Sequence, residues 1–395
     1  MGELKPGWKR VKFGQVVRLN RETCKDPTSE GIERVIGLEH LEPGDLRVRS
    51  WTDLADGTTF TNRVRPGQVL FGKRRAYQRK VAVADFDAIC SGDIYVFETA
   101  DPTRLLPELL PYICQTDAFF EHAVGTSAGS LSPRTNWSSL AEYEFALPPL
   151  EEQHRLAALL RALDRTRQRY RDLASAAERA LVATRGSLLD AAWRSSTRSH
   201  LERVAKGQYG IVDGPFGSNL KSVHFRDRGH PVISSSMFSS GKFSPSIGDY
   251  KYVDSEKFEQ LRRNRAVAGD ILVVLIGFNC GTVAVLPDDH APGVITQNCL
   301  KITVDEGIAR RDFVVEALRW LKESGRAERL VTTTQQRALS LGRLRKAEIP
   351  LPSLDVQDSV LDTLRELDRG RQNAAEREAG LLRSLNHGVN KLVGQ

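Results

Sequence analysis

The stretch FGKRRAYQRKVAVAD, residues 71–85, places five basic residues (Lys73, Arg74, Arg75, Arg79 and Lys80) within the nine positions from Gly72 to Lys80, with Tyr77 among them. Guanidinium and ammonium groups at that density bind phosphate oxygens, and a guanidinium fork also matches the edge of guanine. The ordinary fate of such a run is a solvated loop. Its setting argues for more: residues 1–149 hold 19 Lys or Arg against 20 Asp or Glu, a net charge of −1, so the positive charge is gathered rather than spread. Donor-rich stretches recur along the chain. GTSAGSLSPRTNW, residues 125–137, offers Ser130 and Arg134; DGPFGSNLKS, residues 213–222, offers Ser218, Asn219 and Lys221. LRRNR, residues 261–265, offers Arg263 and Arg265, and TTTQQR, residues 332–337, offers Gln335, Gln336 and Arg337. Asn and Gln pair bidentately with adenine, while hydroxyls and N–H groups beside glycines reach phosphate oxygens. Any one of these loops is more simply a turn. Their recurrence in both halves points to nucleic acid.

Motifs for chemistry on a substrate are missing. There is no G-x-x-x-x-G-K-[ST] to cradle phosphates, no G-x-G-x-x-G and no H-E-x-x-H. The five cysteines (Cys24, Cys90, Cys114, Cys280 and Cys299) are scattered, odd in number and never spaced as C-x-x-C. Buried apolar thiols are expected of them, with neither a disulfide framework nor a metal site. The 395 residues carry a net charge of +7 and a pI near 9.2, a balance that favours an acidic partner. No apolar run approaches the roughly 20 residues needed to span a bilayer. The start, MGELKPGWKRVKF, lacks the apolar segment of a secretory signal and the hydroxyl residue that myristoylation wants. A cytoplasmic protein without a membrane role is expected.

The elements that position these loops are written twice. FALPPLEEQHRLAALLRALDR from Phe145 is answered by IPLPSLDVQDSVLDTLRELDR from Ile349, and Leu147, Pro148, Gln153, Leu163, Asp164 and Arg165 each have an identical residue 204 positions later. Upstream, PGQVLFG at Pro66 is answered by AGDILVV at Ala268, 202 residues on. Such self-similarity marks a tandem of two modules, each a mixed α/β domain followed by a long helix. In the first helix Leu156, Leu160, Leu163, Tyr170, Ala174, Ala177, Leu181 and Leu188 follow a heptad register in which Arg167 and Thr184 fill the remaining seam positions. In the second, Val360, Leu364, Leu367, Ala374, Leu381, Leu385 and Leu392 repeat it, with Arg371 standing where Arg167 stood. Seams sustained over four heptads predict helix pairing. Because the first helix must return the chain to a second domain of the same kind, the pair is expected to be antiparallel. The expected boundaries are domains at 1–149 and 199–350 and helices at 150–198 and 351–395. The alternative is two independent helices, each packed on its own domain.

In order, spacing and duplication the chain resembles the specificity subunit of type I restriction–modification systems. The marks are GQVLFGKRRAYQRKVA and SAGSLSPRTNW in the first half, DGPFGSNLKS and GDILVV in the second, and L-P-[PS]-L-x-x-Q leading into each helix. The resemblance implies two target recognition domains, each reading one half of a split site in double-stranded DNA. It also implies an antiparallel coil between them that measures the gap, with the domains roughly 50 Å apart and their half-sites about one helical turn apart. Implied partners are methyltransferase subunits, two in number, which bring S-adenosylmethionine, and a restriction translocase that uses ATP and Mg²⁺. This chain would hold no cofactor and do no chemistry. Residues 73–80 would face DNA. One departure stands out: IGFNCGTVAV in the second module replaces GKRRAYQRKVAV in the first, and the first lacks DGPFGS. Residue roles therefore do not transfer between modules, and the half-sites should differ. Competing readings are a non-DNA scaffold with two interaction domains, and an enzyme of unfamiliar type acting alone.

Overall fold

Short runs of β-branched and aromatic residues, punctuated by Gly and Asp, become strands in the computed structural model, which describes residues 4–333 and 337–391. Contacts divide the chain into two units, Met1–Leu173 with Asn373–Gln395 and Ala174–Gln372. The first unit opens with β1 (Lys9–Lys12), β2 (Val17–Asn20), β3 (Arg34–Ile36), β4 (Thr52–Asp53) and β5 (Asn62–Val64). It continues with β6 (Val69–Gly72), β7 (Val81–Val83), β8 (Ala88–Cys90) and β9 (Ile94–Thr99). Two four-stranded sheets result, of order β2-β9-β6-β7 and β4-β3-β8-β5. All four residues of β6 are buried, as a central strand covered on both faces requires. Phe13, Phe71, Phe97 and Phe119 are fully buried and meet ring to ring, Phe71 with Phe97 at 5.7 Å and with Phe119 at 5.4 Å. Removing one such ring costs about 3–5 kcal/mol, so this cluster anchors the base of the 73–80 loop.

Helices α1 (Leu110–Ile113), α2 (Asp117–Gly125) and α3 (Trp137–Ala141) cover that core, and β10 (Glu144–Leu147) pairs antiparallel with β1. Next comes α4 (Leu150–Ser195), 46 residues without a break. Its first turns belong to this unit. There Gln153, 1% exposed, accepts from the Leu106 N–H at 2.9 Å and donates to the carbonyls of Arg104 and Pro148, both at 2.9 Å.

The second unit repeats the plan. Strand β11 (Thr197–His200) is followed by β12 (Ile211–Asp213), β13 (His230–Ile233) and β14 (Lys251–Val253), then α5 (Ser255–Gln260). Next are β15 (Arg265–Ala266), β16 (Ile271–Val274), β17 (Val283–Val285), β18 (Gly293–Ile295) and β19 (Cys299–Ile302). The sheets have order β12-β19-β16-β17 and β14-β13-β18-β15. GDILVVLIGFNCGTVAV thus forms the antiparallel pair β16–β17, with Ile271 opposite Val285. The amphipathic α6 (Arg311–Glu323) lays Phe313, Val314, Ala317, Leu318 and Leu321 into the core. Then follow β20 (Val331–Thr333), β21 (Arg337–Leu339), α7 (Leu341–Arg345), β22 (Glu348–Leu351), which pairs with β11, and finally α8 (Leu354–Asn390). Gln357, wholly buried, accepts from the Arg310 N–H at 2.8 Å and donates to the Pro352 carbonyl at 2.9 Å. Both glutamines of the repeated L-P-x-L-x-x-Q stretch therefore fasten a helix to the domain before it.

Within each unit α4 and α8 run antiparallel. In the first unit Arg167 meets Glu378 at 3.1 Å and Leu160 lies against Gly388; in the second Arg371 meets Glu178 at 3.2 Å. Of the expected seam, Leu160, Leu181, Val360, Leu364 and Leu385 are buried, and Leu156, Leu163, Leu188, Leu367 and Leu381 are half-buried. Leu392 lies outside the described residues. Arg167 is 2% exposed, and its charge is met by Asp164 at 3.0 Å as well as Glu378. Arg371 repeats the device with Asp368 at 2.6 Å. Each long helix is shared between the two units. All five cysteines are free and buried, and burial pushes the Cys90 thiol up to about 12. Among the described residues no helix is long and apolar enough to cross a membrane.

Candidate nucleic-acid interface

In the first unit the loop joining β6 to β7 is stitched to the 125–137 loop by its backbone. The Arg75 N–H donates to the Pro133 carbonyl at 2.7 Å, and the Thr135 N–H donates to the Lys73 carbonyl at 3.1 Å. The two loops form one surface, as Arg74 and Arg134 pair across it in an antiparallel bridge. Tight turning at both ends forces Arg75 and Arg79 into the left-handed region, at φ 53° and 56°. Among the described residues they are the non-glycine residues with positive φ, a conformation that costs roughly 1 kcal/mol each. The surrounding hydrogen bonds hold it.

This geometry sorts the basic residues. Arg74 donates to Asp93 at 3.3 Å and to the Ser132 hydroxyl at 2.9 Å, and Arg75 reaches the same hydroxyl at 3.4 Å. Arg134 donates from Nε to Asp93 at 2.8 Å. Burial pushes the Asp93 carboxyl up, but the hydrogen bonds and charges of Arg134 and then Arg74 outweigh it and hold it below the usual range. Lys73 sits over the Tyr95 ring at 4.6 Å. Arg79 is tied to Asp117 and the Gln115 carbonyl and lies over Phe120, and Lys80 donates to the Leu38 carbonyl at 2.7 Å. Tyr77 is 56% exposed, and Ser130 and Arg134 are exposed as well. Arg74, Arg75, Arg134 and Ser132 thus converge, whereas Arg79 and Lys80 brace the loop's return. The run GTSAG spells G-x-S-x-G, but it follows a helix, and Ser127 donates back to the Ala123 carbonyl at 2.7 Å. It is no nucleophile elbow, which requires a strand-to-helix turn.

The second unit keeps the frame and changes the chemistry. The Gly277 N–H donates to the Arg337 carbonyl at 3.0 Å, and the Leu339 N–H donates to the Leu275 carbonyl at 2.9 Å. These bonds match those of Arg75 and Thr135, with donors and acceptors displaced by 202 or 204 residues. Where the first module displays arginines, this one displays Phe278, 100% exposed, next to Gly277 at φ 105°. Arg337 is exposed and paired with Glu328. Gln335 and Gln336 lie outside the described residues, as does the side chain of Ser218.

A second donor group in this unit gathers around the end of β12. Gly214 there passes so close to the Thr296 carbonyl that a Cβ would collide with it. Asn264 donates to the Asp213 carbonyl at 2.7 Å, which joins the 213–222 and 261–265 stretches. Asn219, Lys221 and Arg263 are exposed on these segments, Arg263 over the Tyr209 ring at 5.1 Å. Arg265 instead turns inward, bonded to Glu259 at 2.7 Å and twice to the Phe258 carbonyl, over whose ring it stacks at 3.9 Å. Sequence reasoning passed over Asp93 and Phe278. A carboxylate two residues after Ser91 and a lone Phe between glycines carry no periodic signal.

Residues 6–173 match the family described as type I restriction modification DNA specificity domain. A 126-residue stretch is 30% identical to the EcoDI specificity subunit of a type I restriction enzyme from Escherichia coli, over 30% of this chain and 27% of that protein. The whole chain superimposes on a solved chain of a type I restriction–modification system described for its complex assembly and conformational transition. The TM-score is 0.59 at 19% identity, over 99% of that chain. It also superimposes on the specificity subunit from M. genitalium, with TM-score 0.57 and 16% identity over 98% of that chain. Residues 6–173 thus match the type I restriction modification DNA specificity domain family, and the chain as a whole shares the fold of these solved chains of type I systems.

Proposed function

We propose that the chain is the sequence-reading subunit of a type I restriction–modification complex. Each module reads one half of a bipartite double-stranded DNA target, and the paired helices set the gap and dock two methyltransferase subunits, which restriction translocase subunits join. S-adenosylmethionine, ATP and Mg²⁺ belong to those partners; this chain is non-catalytic and works in the cytoplasm. The observation that supports this best is the repeated loop frame. The same two backbone hydrogen bonds in both units present different side chains, Arg74, Arg75 and Arg134 in one and Phe278 and Arg337 in the other. A constant scaffold with variable tips suits two readers of unlike half-sites.

The test is selection of duplexes from a random pool by the full chain assembled with its methyltransferase subunits. Two different short sequences separated by a fixed, unread gap are expected. Capture of duplexes without shared sequence overturns the reading.

A further inference from the structure

The first module's loop pair contains a carboxylate where a simple phosphate site would have none. Asp93 lies between Arg74 and Arg134, its side chain 20% exposed, against 48% for Arg134. A phosphate brought to Arg134 would also meet that carboxylate, although the cluster, with Arg74 and Arg75, stays positive as a whole. The pair Arg134–Asp93 is moreover neutral, which weakens its pull on a backbone anion.

The same carboxylate prepares Arg134 for a different task. The Arg134 main chain is fixed by bonds exchanged with Ala128, at 2.9 and 3.0 Å. Asp93 then occupies the Nε side of the guanidinium, with Nε to Oδ1 at 2.8 Å and Nη2 to Oδ2 at 3.5 Å. A guanidinium has five N–H groups in one plane, so a partner on the Nε edge leaves the outer fork of Nη1 and Nη2 facing away from it. That fork matches the O6 and N7 acceptors of guanine in the major groove. Arg74, on the other Asp93 oxygen, and Ser132, which takes Arg74 and Arg75, hold the carboxylate and loop in place. Resting on the reading above, we propose that Arg134 reads one guanine of the first half-site, with Asp93 as the positioning residue that aims it.

The experiment measures binding of the full chain, assembled with its methyltransferase subunits, to its target duplex. Every guanine of the first half-site is replaced in turn by adenine or by 7-deazaguanine. The wild type should lose affinity at one guanine by on the order of 10- to 100-fold. Arg134→Ala should lose that discrimination, while Arg134→Lys, whose ammonium still reaches O6 and N7 without the planar fork, should keep only part of it and retain the salt dependence of binding. Asp93→Asn should relax the same position; because its two ion pairs also stabilise the fold, some fall in the thermal midpoint is expected with it, and affinity is compared well below that midpoint. A uniform loss of affinity for all sequences in Arg134→Ala, with a salt slope shallower by about 0.9, would instead mark a phosphate contact and overturn the proposal. Discrimination at every guanine that survives Arg134→Ala overturns it as well, leaving the wider reading intact. A wild-type complex with no sequence preference overturns both.

Discussion

Phe278 stands fully in solvent at the loop tip of the second module, where an apolar ring gains nothing from folding. Its worth must come from what it meets. In a duplex the base faces are already stacked, so the ring meets either thymine methyl groups in the major groove or a base step that it opens. Phe278→Ala is therefore expected to weaken binding of target DNA by about 10-fold or more, the loss of one buried apolar side chain, and to leave the thermal midpoint of the free chain within a degree or so, since no packing is lost. Equal affinity of the variant and the wild type, measured by titration of labelled duplex, would sink this. The contrast with the first module shows what sequence makes legible at this scale. Five basic residues in nine single out this loop by count alone. Which of them is presented depends on Asp93, Asp117 and the Leu38 carbonyl, brought in from distant positions by the fold.

At the scale of elements the heptad register was readable, because the seam residues repeat at fixed spacing and the repeat occurs twice. The polar tie between helix and domain was not. Asp45, in the unremarkable stretch EPGDLRVRS, has a side chain only 1% exposed and accepts from Arg49 at 2.7 Å, from Gln168 at 2.8 Å and from Arg171. Arg167 comes within 3.7 Å of it. Breaking a buried ion cluster by removing one member leaves charges unpaired in a dry site, at about 3–5 kcal/mol. Arg167→Ala is expected to lower the thermal midpoint by several degrees, and Arg167→Met by less, since its stem still fills the seam. Equal midpoints for Arg167→Ala and wild type would show the cluster to be idle. The network also makes stability depend on pH. Burial raises the Asp45 pKa, but the hydrogen bonds from Arg49, the Arg47 N–H and Gln168 prevail, so it lies below its unfolded value. A depressed carboxyl stabilises fully above the unfolded pKa, and that stability is lost as pH falls through the folded one. A midpoint that drops between about pH 5 and pH 3 is expected, with a shallower drop in Asp45→Asn. Superimposable acid limbs for the two proteins would remove Asp45 from the explanation.

For the molecule as a whole, duplication was the legible feature, and it led to four consecutive segments at 1–149, 150–198, 199–350 and 351–395. Contacts gather the chain differently, because antiparallel return brings Asn373–Gln395 back to the first unit and leaves Ala174–Gln372 as the second. Both helices run unbroken through those divisions, at Leu173 in α4 and Gln372 in α8. If the helices set the gap between half-sites, lengthening both there must lengthen the gap. One heptad adds about 10 Å of rise, or about three base pairs, and keeps the seam in phase. Three base pairs also turn a half-site by about 100° around the duplex, out of reach of a domain that has only been translated. Three heptads add about 32 Å, close to the 34–36 Å of one DNA turn. The one-heptad variant is therefore expected to lose the original target without gaining a tight new one. The three-heptad variant should select the same two half-sites with a gap about nine or ten base pairs longer. A four-residue insertion breaks the heptad phase and should lower the thermal midpoint instead. Selection of the original gap by the three-heptad variant would mean that something other than the paired helices measures the distance.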